Sequence, residues 1–306
     1  MSRRAIRRVA LVGHTRRAAV GRRMAALEQS LARRGIATVV VGGHDAPPGH
    51  GWTPDPDSVR AARACDLLIT LGGDGTILAG ARILAGTTVP ILPVNLGGLG
   101  FLASYEGADL AEALRGALSG RLVVEQRSML RARLEPARGG RLRTLGVALN
   151  DVVIKQPTAL RALRMDIATA DTFLGHVIAD GVIAASPSGS TAYSLSAGGP
   201  LIAPGLETIV VTPICPHTLG MRALCLPPRA ELRVSIRSRD GAGAILSLDG
   251  GGGPPAATGD TVRIELIPDA VRFLRRPGVT LSAILPHKLG WGGGPARRVS
   301  GSTRGR

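Results

Sequence analysis

The chain has 306 residues, enough for about two domains, and its core must be largely aliphatic because 44% of the residues are apolar but only 2% are aromatic. The formal charge is +16, yet the strongest arginine clusters lie at the two ends without interleaved aromatic residues, which argues against single-strand nucleic-acid binding. Three scattered cysteines match neither a disulfide framework nor a zinc site, no apolar run is long enough to span a bilayer, and no signal-peptide pattern is present, so we expect a cytoplasmic protein without a membrane partner.

The first part of the chain alternates predicted strands with predicted helices. Continuous apolar runs predict strands at residues 9–13, 37–41, 67–71 and 89–94. Helical patterning predicts helices at residues 18–34, 58–64, 77–84 and 109–118, the first of which ends at Gly35. This alternation favours a doubly wound α/β domain, in which helices cover both faces of a parallel sheet.

Beyond about residue 123 the predicted strands follow one another without helices. They lie at residues 129–135, 144–154, 162–169, 172–179, 182–185, 208–212, 231–235, 244–248 and 261–267, with a hairpin turn at 136–140. Such a run is typical of an antiparallel, β-sandwich-like second domain.

The C-terminal part is less regular. A helix predicted at residues 280–288 is interrupted by Pro286, and the Gly/Ser/Arg-rich residues 295–306 are predicted to be disordered. We therefore divide the chain into an α/β domain (1–124), an all-β domain (125–270), a segment that packs back on the first domain (271–294) and a basic tail (295–306).

A glycine-rich loop follows the predicted strand at 67–71 and precedes a predicted helix. Its sequence is Gly72-Gly73-Asp74-Gly75-Thr76. Glycines let the backbone approach a ligand, and the first amides of the helix can hold phosphate oxygens. A carboxylate at this place is positioned to take a hydroxyl proton or to help hold Mg²⁺. The structural alternative is a tight turn in which Asp74 caps the helix.

A second loop, residues 95–101, follows the next predicted strand. Asn95 and Gly97 begin an Asn-x-Gly-x-x-Gly pattern that differs from the dinucleotide fingerprint. Because the carboxyl ends of parallel strands can line one crevice, we expect the two loops to serve one ligand. No P-loop sequence is present, so a phosphotransferase of this kind would hold phosphates with backbone amides and Mg²⁺, with arginine as a further candidate.

Two polar segments interrupt the apolar strands of the second half. Asn150-Asp151 separates two apolar runs, and the pair either reads an adenine edge and ribose hydroxyls or forms a β-bulge. Residues 186–200 are rich in hydroxyl groups and glycine, and Tyr193 within them offers a flat face for stacking. No Gly-x-Ser-x-Gly elbow occurs, which argues against a serine hydrolase.

Asp180-Gly181 and the hydroxyl-rich run that follows form the densest of these elements. Three further features carry weaker signals. His217 is about equally a site residue or a structural histidine, and His176 is more often structural than catalytic. Asp249-Gly250 and the glycines after it are interpreted as a hairpin turn.

Together these blocks resemble the bacterial NAD kinase family over roughly residues 9–291. The matching blocks come in the family's order, at residues 72–76, 95–101, 127–130, 148–151, 180–181, 186–200, 212–217 and 248–250. The Gly-Gly-Asp-Gly-Thr block alone is shared with phosphofructokinases and diacylglycerol-type lipid kinases. The run at residues 189–199 is much more specific.

The resemblance implies a nucleotide-binding α/β domain, an all-β domain and a cleft between them that binds NAD. It implies that Asp74 is the catalytic carboxylate, which activates the adenosine ribose 2′-hydroxyl for phosphoryl transfer from ATP, forming NADP. The implied NAD-binding residues are Gly75, Phe101, Asn150, Asp151, Asp180, Ser188, Thr191, Ala192 and Tyr193. The implied phosphate- and ATP-binding residues are Gly72, Gly73, Gly75, Thr76, Asn95 and Gly97.

The resemblance further implies Mg²⁺ brought with ATP, with no dedicated metal site, and a homo-dimer or homo-tetramer. Asp180 and His217 would lie at or beside a subunit contact, and some relatives also use polyphosphate as the donor. Departures from the family pattern occur at Ser188, Gly251 and Ile178. The departures at Gly251 and Ile178 leave open a non-catalytic NAD(P)-binding sensor. A lipid or sugar kinase of the same superfamily, with a different acceptor groove, is a second alternative, and the charge of +16 leaves a nucleic-acid-binding protein as a third.

Overall fold

The structure is a computed structural model. It describes residues 5–14, 17–45, 52–97, 101–137, 139–157, 162–203, 205–218, 220–237, 241, 243–279 and 288. The helix predicted at 280–288 lies outside the described residues except for Lys288, and so does the whole predicted tail. No described helix is long and apolar enough to cross a membrane.

The described residues form five α-helices, two short 3-10 turns and nineteen strands. The helices are α1 (Ala18–Ala32), α2 (Pro56–Arg63), α3 (Asp74–Leu84), α4 (Leu110–Leu118) and α5 (Tyr193–Ser196), with 3-10 turns at Gly107–Asp109 and Ser188–Thr191. The strands are β1 (Arg8–Gly13), β2 (Ala37–Val40), β3 (Gly43–Asp45), β4 (Trp52–Pro54), β5 (Leu67–Gly72), β6 (Pro90–Asn95), β7 (Tyr105–Glu106), β8 (Val123–Glu135), β9 (Arg143–Ala148), β10 (Asp151–Lys155), β11 (Leu163–Ala168), β12 (Phe173–Ala179), β13 (Gly181–Ala185), β14 (Ile209–Ile214), β15 (Leu224–Leu226), β16 (Leu232–Ile236), β17 (Ala244–Leu248), β18 (Gly251–Ala256) and β19 (Thr261–Arg275).

The N-terminal part is a parallel sheet with helices on both faces. Strands β2, β1, β5 and β6 pair in parallel, and every residue of β5 is buried. Val9 and Leu11 of β1 share one core cluster with residues of α1 and α4, whereas Ala10 and Val12 share another with residues of α2 and α3. The predicted doubly wound arrangement is confirmed.

The C-terminal part is a sandwich of a six-stranded antiparallel sheet and the antiparallel strands of an eleven-stranded mixed sheet, which also contains the parallel strands of the N-terminal part. The six-stranded sheet has the order β15-β14-β13-β10-β17-β18, and all its pairings are antiparallel. It packs on the antiparallel strands of the eleven-stranded sheet, and one core cluster takes residues from both. The β-sandwich-like second part is therefore confirmed as well. The short strands β3, β4, β7, β15 and β18 were not predicted from the sequence.

Strand β19 belongs to both parts of the molecule. It pairs antiparallel with β8 over almost its whole length and in parallel with β6 at Phe273↔Ile91. The prediction that this strand ends at residue 267 was wrong. The ladder resumes at Val271 after a register shift, and Pro268, which lacks an N–H, falls in the interrupted stretch where no ladder bond is needed. The boundary drawn between residues 270 and 271 lies within β19, and the domain limits stay a prediction.

The prediction of a single strand at 144–154 was also wrong. The chain forms β9 in the large sheet and β10 in the small one, with Leu149 and Asn150 between them. Both halves are apolar, so the periodicity does not reveal the change of sheet.

Phe273 tests the role of β19 in joining the two parts. Its side chain is fully buried, and Phe273→Ala should lower the free energy of unfolding by about 3–5 kcal/mol because it leaves a cavity. Val124 on the neighbouring strand β8 is 54% exposed, and Val124→Ala should change stability by less than about 0.5 kcal/mol. Urea denaturation of both variants measures their free energies of unfolding. Equal decreases in the two variants would show that the buried ring of Phe273 does not stabilise the junction of the two parts.

Candidate functional site

The glycine-rich loop lies between β5 and α3 at the carboxyl edge of the parallel sheet. Gly72 ends β5, Gly73 is the N-cap of α3, and Asp74 is the first residue of the helix. Asp74 is therefore not the helix cap. A Cβ atom on Gly72 would lie 2.2 Å from Oγ1 of Thr76, whereas Cβ atoms on Gly73 and Gly75 would meet nothing within 4 Å. The loop is closed on its inner side and open on its outer side, where a ligand can approach.

Asn95 joins the two loops. Gly72 and Asn95 are paired at the ends of β5 and β6, and Asn95 is 6% exposed. Its Nδ2 donates to Oδ1 of Asp74 at 3.4 Å, and its Oδ1 accepts from the amide of Gly97 at 2.9 Å. The amide thus orients the carboxylate and fixes the start of the second loop.

The carboxyl group of Asp74 sits in a mixed environment. The residue is exposed to solvent, yet the protein atoms around its carboxyl group desolvate it enough to raise its pKa, and the charge of Lys288 opposes this rise. A carboxylate with a raised pKa is a better proton acceptor than an ordinary aspartate.

Asn150 occupies the corner where the chain leaves β9 and enters β10. Its amide donates to Oδ1 of Asp249 at 2.7 Å, and its carbonyl accepts from the amide of Ser186 at 2.8 Å. Its side-chain Oδ1 is buried and has no hydrogen-bond partner. Because a buried acceptor without a donor is costly, this oxygen suits a ligand that brings an N–H or O–H group.

Asp151 begins β10 and is 5% exposed. Burial, with a further contribution from the charge of Asp249, raises the pKa of Asp151 to about 7. Burial also raises the pKa of Asp249, although hydrogen bonds from backbone amides and the charge of Arg82 oppose the shift. Near neutral pH the carboxyl of Asp151 therefore exists in both forms and can accept or donate a hydrogen bond.

Residues of the hydroxyl-rich run fall into a buried set and a partly exposed set. Ser186, Ser190 and Ser194 are fully buried. Their hydroxyls bond within the protein, to the carbonyl of Leu149, to the carbonyl of Pro187 at 2.7 Å, and to Oγ1 of Thr212 at 2.8 Å. These three hydroxyls stabilise the conformation of the loop, and each already has a partner within the protein.

The second set is Ser188, Thr191, Ala192 and Tyr193, all at least partly exposed. Tyr193 is 45% exposed, so one face of its ring is free for stacking. Ser188 and Thr191 line an open pocket with Phe101, which brings the second loop to the same place. Nη1 of Arg127 donates to Oγ of Ser188 at 3.3 Å across this pocket.

Gly189 allows the hydroxyl-rich run to approach the Asn150 corner closely. A Cβ atom on this glycine would lie 1.9 Å from the carbonyl oxygen of Asn150. Helix α3, which begins at Asp74, packs on the same core cluster as Leu149. The two loops, the Asn150–Asp151 corner and the hydroxyl-rich run therefore surround one region.

Asp180 is not brought to this region within a single chain. It precedes β13 at the end where Gly181 pairs with Lys155, whereas the other end pairs Ala185 with Asp151. Asp180 lies five residues before Ala185, which places the two about 16 Å apart along the strand. The amide of His217 donates to the carbonyl of Ile178 at 2.9 Å, so His217 lies at the same distant end.

Two residues of the region were not recognised from the sequence. Asp249 was interpreted as part of a hairpin turn, which the structure confirms, and was otherwise named only within a matching block, but its carboxylate also accepts hydrogen bonds from the corner at residues 149–151. Arg127 was named only within a matching block. The one signal for Asp249 was an ionisable residue directly after an apolar strand. Among the described residues no three His, Cys, Asp or Glu side chains could together hold a metal ion.

Comparisons with known proteins give a consistent result. The family described as "ATP-NAD kinase N-terminal domain" matches residues 52–122, and "ATP-NAD kinase C-terminal domain" matches residues 149–276. The chain is 42% identical over 230 residues to an NAD kinase of Gemmatimonas aurantiaca, covering 74% of this chain and 78% of the relative. It is 40% identical over 237 residues to an NAD kinase of Heliobacterium modesticaldum, covering 78% and 83%. The solved structure of yeast NADH kinase complexed with NADH superposes with a TM-score of 0.84 at 25% identity, covering 96% of this chain and 90% of that chain.

Gly189→Ala tests the close approach between the hydroxyl-rich run and the corner. The new methyl group would overlap the carbonyl of Asn150, which is backbone and cannot swing away, so we expect stability to fall by about 1–3 kcal/mol. Gly220→Ala, where a Cβ would meet nothing within 4 Å, is the matched control. Thermal unfolding of the two variants gives the comparison, and equal melting temperatures would rule out the overlap.

Asp151→Asn tests the raised pKa of the buried carboxyl. Its pKa of about 7 in the folded protein lies above the usual 3.8, so between these pH values the folded state binds the proton more tightly than the unfolded chain. A rise in pH through this window therefore removes stability, and the whole contribution is lost above about pH 7. Asparagine does not titrate, so the stability of the variant relative to the wild type should increase from pH 5 to pH 8. Urea denaturation across this range measures that difference; a constant value would show that the carboxyl titrates normally.

Proposed function

The chain belongs to the NAD kinase family, and on this premise we propose that it transfers the terminal phosphoryl group of ATP to the adenosine ribose 2′-hydroxyl of NAD, forming NADP. The observation that carries the proposal is the Asp74 carboxylate. It stands at the start of α3 in an open glycine loop, held by Asn95, beside a corner with an unpaired amide oxygen.

Asp74 acts as the general base. Oδ1 is held by Asn95, which leaves Oδ2 to accept the proton of the ribose 2′-hydroxyl. The 2′-oxygen attacks the terminal phosphorus, the bond to the bridging oxygen breaks, and ADP leaves in line with the attacking oxygen. The raised pKa of Asp74 favours the proton transfer.

The ATP phosphates lie over the open side of the glycine loop. The amides of Asp74 and Gly75 begin α3, where the positive end of the helix dipole favours negative charge, whereas the amide of Thr76 already donates to the carbonyl of Gly73 at 3.0 Å. Gly72, Gly73, Gly75 and Thr76 supply this surface, and Gly97 of the second loop is next to it through Asn95.

The adenosine of NAD lies against the corner and the hydroxyl-rich run. The unpaired Oδ1 of Asn150 accepts from the exocyclic amino group of adenine, and Tyr193 stacks on the base. Asp151 binds ribose hydroxyls, and the remaining contacts come from Gly75, Phe101, Ser188, Thr191 and Ala192. A buried acceptor that fits an adenine edge favours a nucleotide over a lipid or sugar as the acceptor substrate.

A divalent cation is expected with an ATP-dependent kinase, and we assign Mg²⁺ to it. The donors in the loop fit this ion, because Asp74 offers a carboxylate oxygen and Mg²⁺ needs only one or two protein ligands when it arrives with nucleotide phosphates. When bound, Mg²⁺ offsets negative charge on the transferring phosphoryl group. Polyphosphate, which carries the same phosphoanhydride linkage, is the alternative donor.

We further propose a homo-dimer or homo-tetramer in the cytoplasm. Phe173, Leu174 and Leu224 form exposed apolar surface near the end of the sandwich that carries β12 and β15, which supports a contact between copies. Such a contact would bring Asp180 of one copy toward the NAD of another. The free cysteines, two of them exposed, support a reducing compartment.

Asp74→Asn tests the general base. The amide keeps the size of the side chain but cannot take the proton, so turnover should fall by about 10²–10⁴-fold while the Kd for NAD changes little. Asp57→Asn, on the solvent face of α2, is the control and should keep wild-type turnover. NADP formation from Mg-ATP and NAD is followed with an NADP-specific dehydrogenase, with NAD binding measured by calorimetry. Near-normal turnover in Asp74→Asn would refute this role.

A further inference from the structure

The turn between β17 and β18 contains Asp249, whose carboxylate is not needed to form the turn. Asp249 and Gly250 connect the two strands as a two-residue hairpin loop, with φ of +51° and +73°. This is the dihedral signature of a type I′ turn, which asparagine or glycine satisfies as well as aspartate. The amide of Asp249 donates to the carbonyl of Asp151 at 3.0 Å, so the turn is bound to the corner at both backbone and side chain.

The carboxylate of Asp249 accepts from three successive amides. Oδ2 accepts from Leu149 at 2.9 Å, and Oδ1 accepts from Asn150 at 2.7 Å and from Asp151 at 3.3 Å. These amides lie where the chain passes from β9 to β10 and changes sheet, so the ordinary strand ladder is interrupted there. One side chain thus satisfies a stretch of backbone that would otherwise lack acceptors.

The arrangement fixes the two side chains that the proposed function assigns to adenosine. Asn150 and Asp151 are held at their amides from one side, and Gly189 closes on the carbonyl of Asn150 from the other. With both peptide groups fixed, the directions of the unpaired Oδ1 and of the Asp151 carboxyl are set before a ligand arrives.

We propose that Asp249 is a positioning residue for NAD: its carboxylate holds the amides of residues 149–151 and thereby orients Asn150 and Asp151 toward the adenosine. The inference rests on the proposed function and adds a residue to it. Asp249 acts through its neighbours and contacts neither the phosphoryl group nor Asp74.

The charged groups that face the Asp249 carboxylate are Asp151 on β10 and Arg82 on α3. Arg82 lies on the helix that begins with Asp74, so Asp249 stands between the helix of the general base and the adenosine corner. Removing its negative charge also removes one of the two causes that raise the pKa of Asp151.

Asp249→Asn tests the proposal. Asparagine suits the positive φ and keeps one acceptor oxygen, so the variant should fold, but its NH₂ group must oppose one of the backbone N–H donors. We expect the KM for NAD to rise about 10–100-fold, because Asn150 and Asp151 would no longer be held in the orientation that binds the adenosine. The KM for ATP should stay within about twofold.

Asp260→Asn is the matched control. Asp260 is also largely buried, and its carboxylate accepts from two amides, those of Ala137 at 3.0 Å and Ala257 at 2.8 Å. It precedes β19 at the end away from the parallel sheet. This variant should lose comparable stability and leave the KM for NAD unchanged.

A pH profile separates positioning from a general loss of structure. In the wild type the affinity for NAD should vary with the ionisation of Asp151 near pH 7, and in Asp249→Asn this midpoint should move to lower pH. Asp260→Asn should keep the wild-type midpoint.

The outcomes distinguish this inference from the proposed function. NADP formation by the wild type with equal KM values for NAD in the two variants would overturn the positioning role of Asp249. A wild type that binds NAD but forms no NADP would count against the kinase. Calorimetric Kd values for NAD in the same three proteins would then still decide whether Asp249 positions the adenosine.

Discussion

The backbone has to leave one sheet and enter another between Ala148 and Asp151, and every amide on that path needs an acceptor. Most loops meet this demand with water, but here the corner is buried against the sandwich. The carboxylate of Asp249 supplies the acceptors for these amides, and the hydroxyl-rich run packs against the carbonyl of Asn150 at Gly189. Once these contacts are made, a polar surface that faces the glycine loop is fixed in place. The contacts that satisfy the backbone at this corner thus also hold the side chains of the proposed adenosine site.

The parallel half of the molecule was predictable from the sequence because each signal in it is local. Continuous apolar strands, helical spacing in α1 and the glycine loop after β5 each lie within a few residues, and the structure confirms them. The proximity of the loops after β5 and β6 was also predictable, since neighbouring parallel strands end at the same edge of a sheet. The hydrogen bond from the side-chain amide of Asn95 to Asp74 could not be predicted from the sequence, because it depends on the pairing of Gly72 with Asn95.

The sandwich half was predictable as a class but not in its connections. Apolar residues run through 144–154 without a break in pattern, so nothing local marks the change of sheet at Asn150. The continuation of β19 past Pro268 depends on its pairing with β8 and β6, which are distant in the chain. Likewise the serines of residues 186–200 look alike in the sequence. Only their partners, such as Thr212 for Ser194, separate those that build the loop from those that face the cleft.

Strand β19 has a thermodynamic consequence. Its ladder is shared, because β8 and β16 of the sandwich and β6 of the parallel sheet all hydrogen-bond to the same fifteen residues. Neither half can melt without exposing an edge of the other, so local opening is suppressed and the two halves unfold cooperatively despite their different architectures. A hinge between nucleotide-holding halves is common in phosphotransferases, but here such a movement would have to bend or slip a continuous strand. We therefore expect movement on substrate binding to be confined to the loops rather than to a rotation of the two halves.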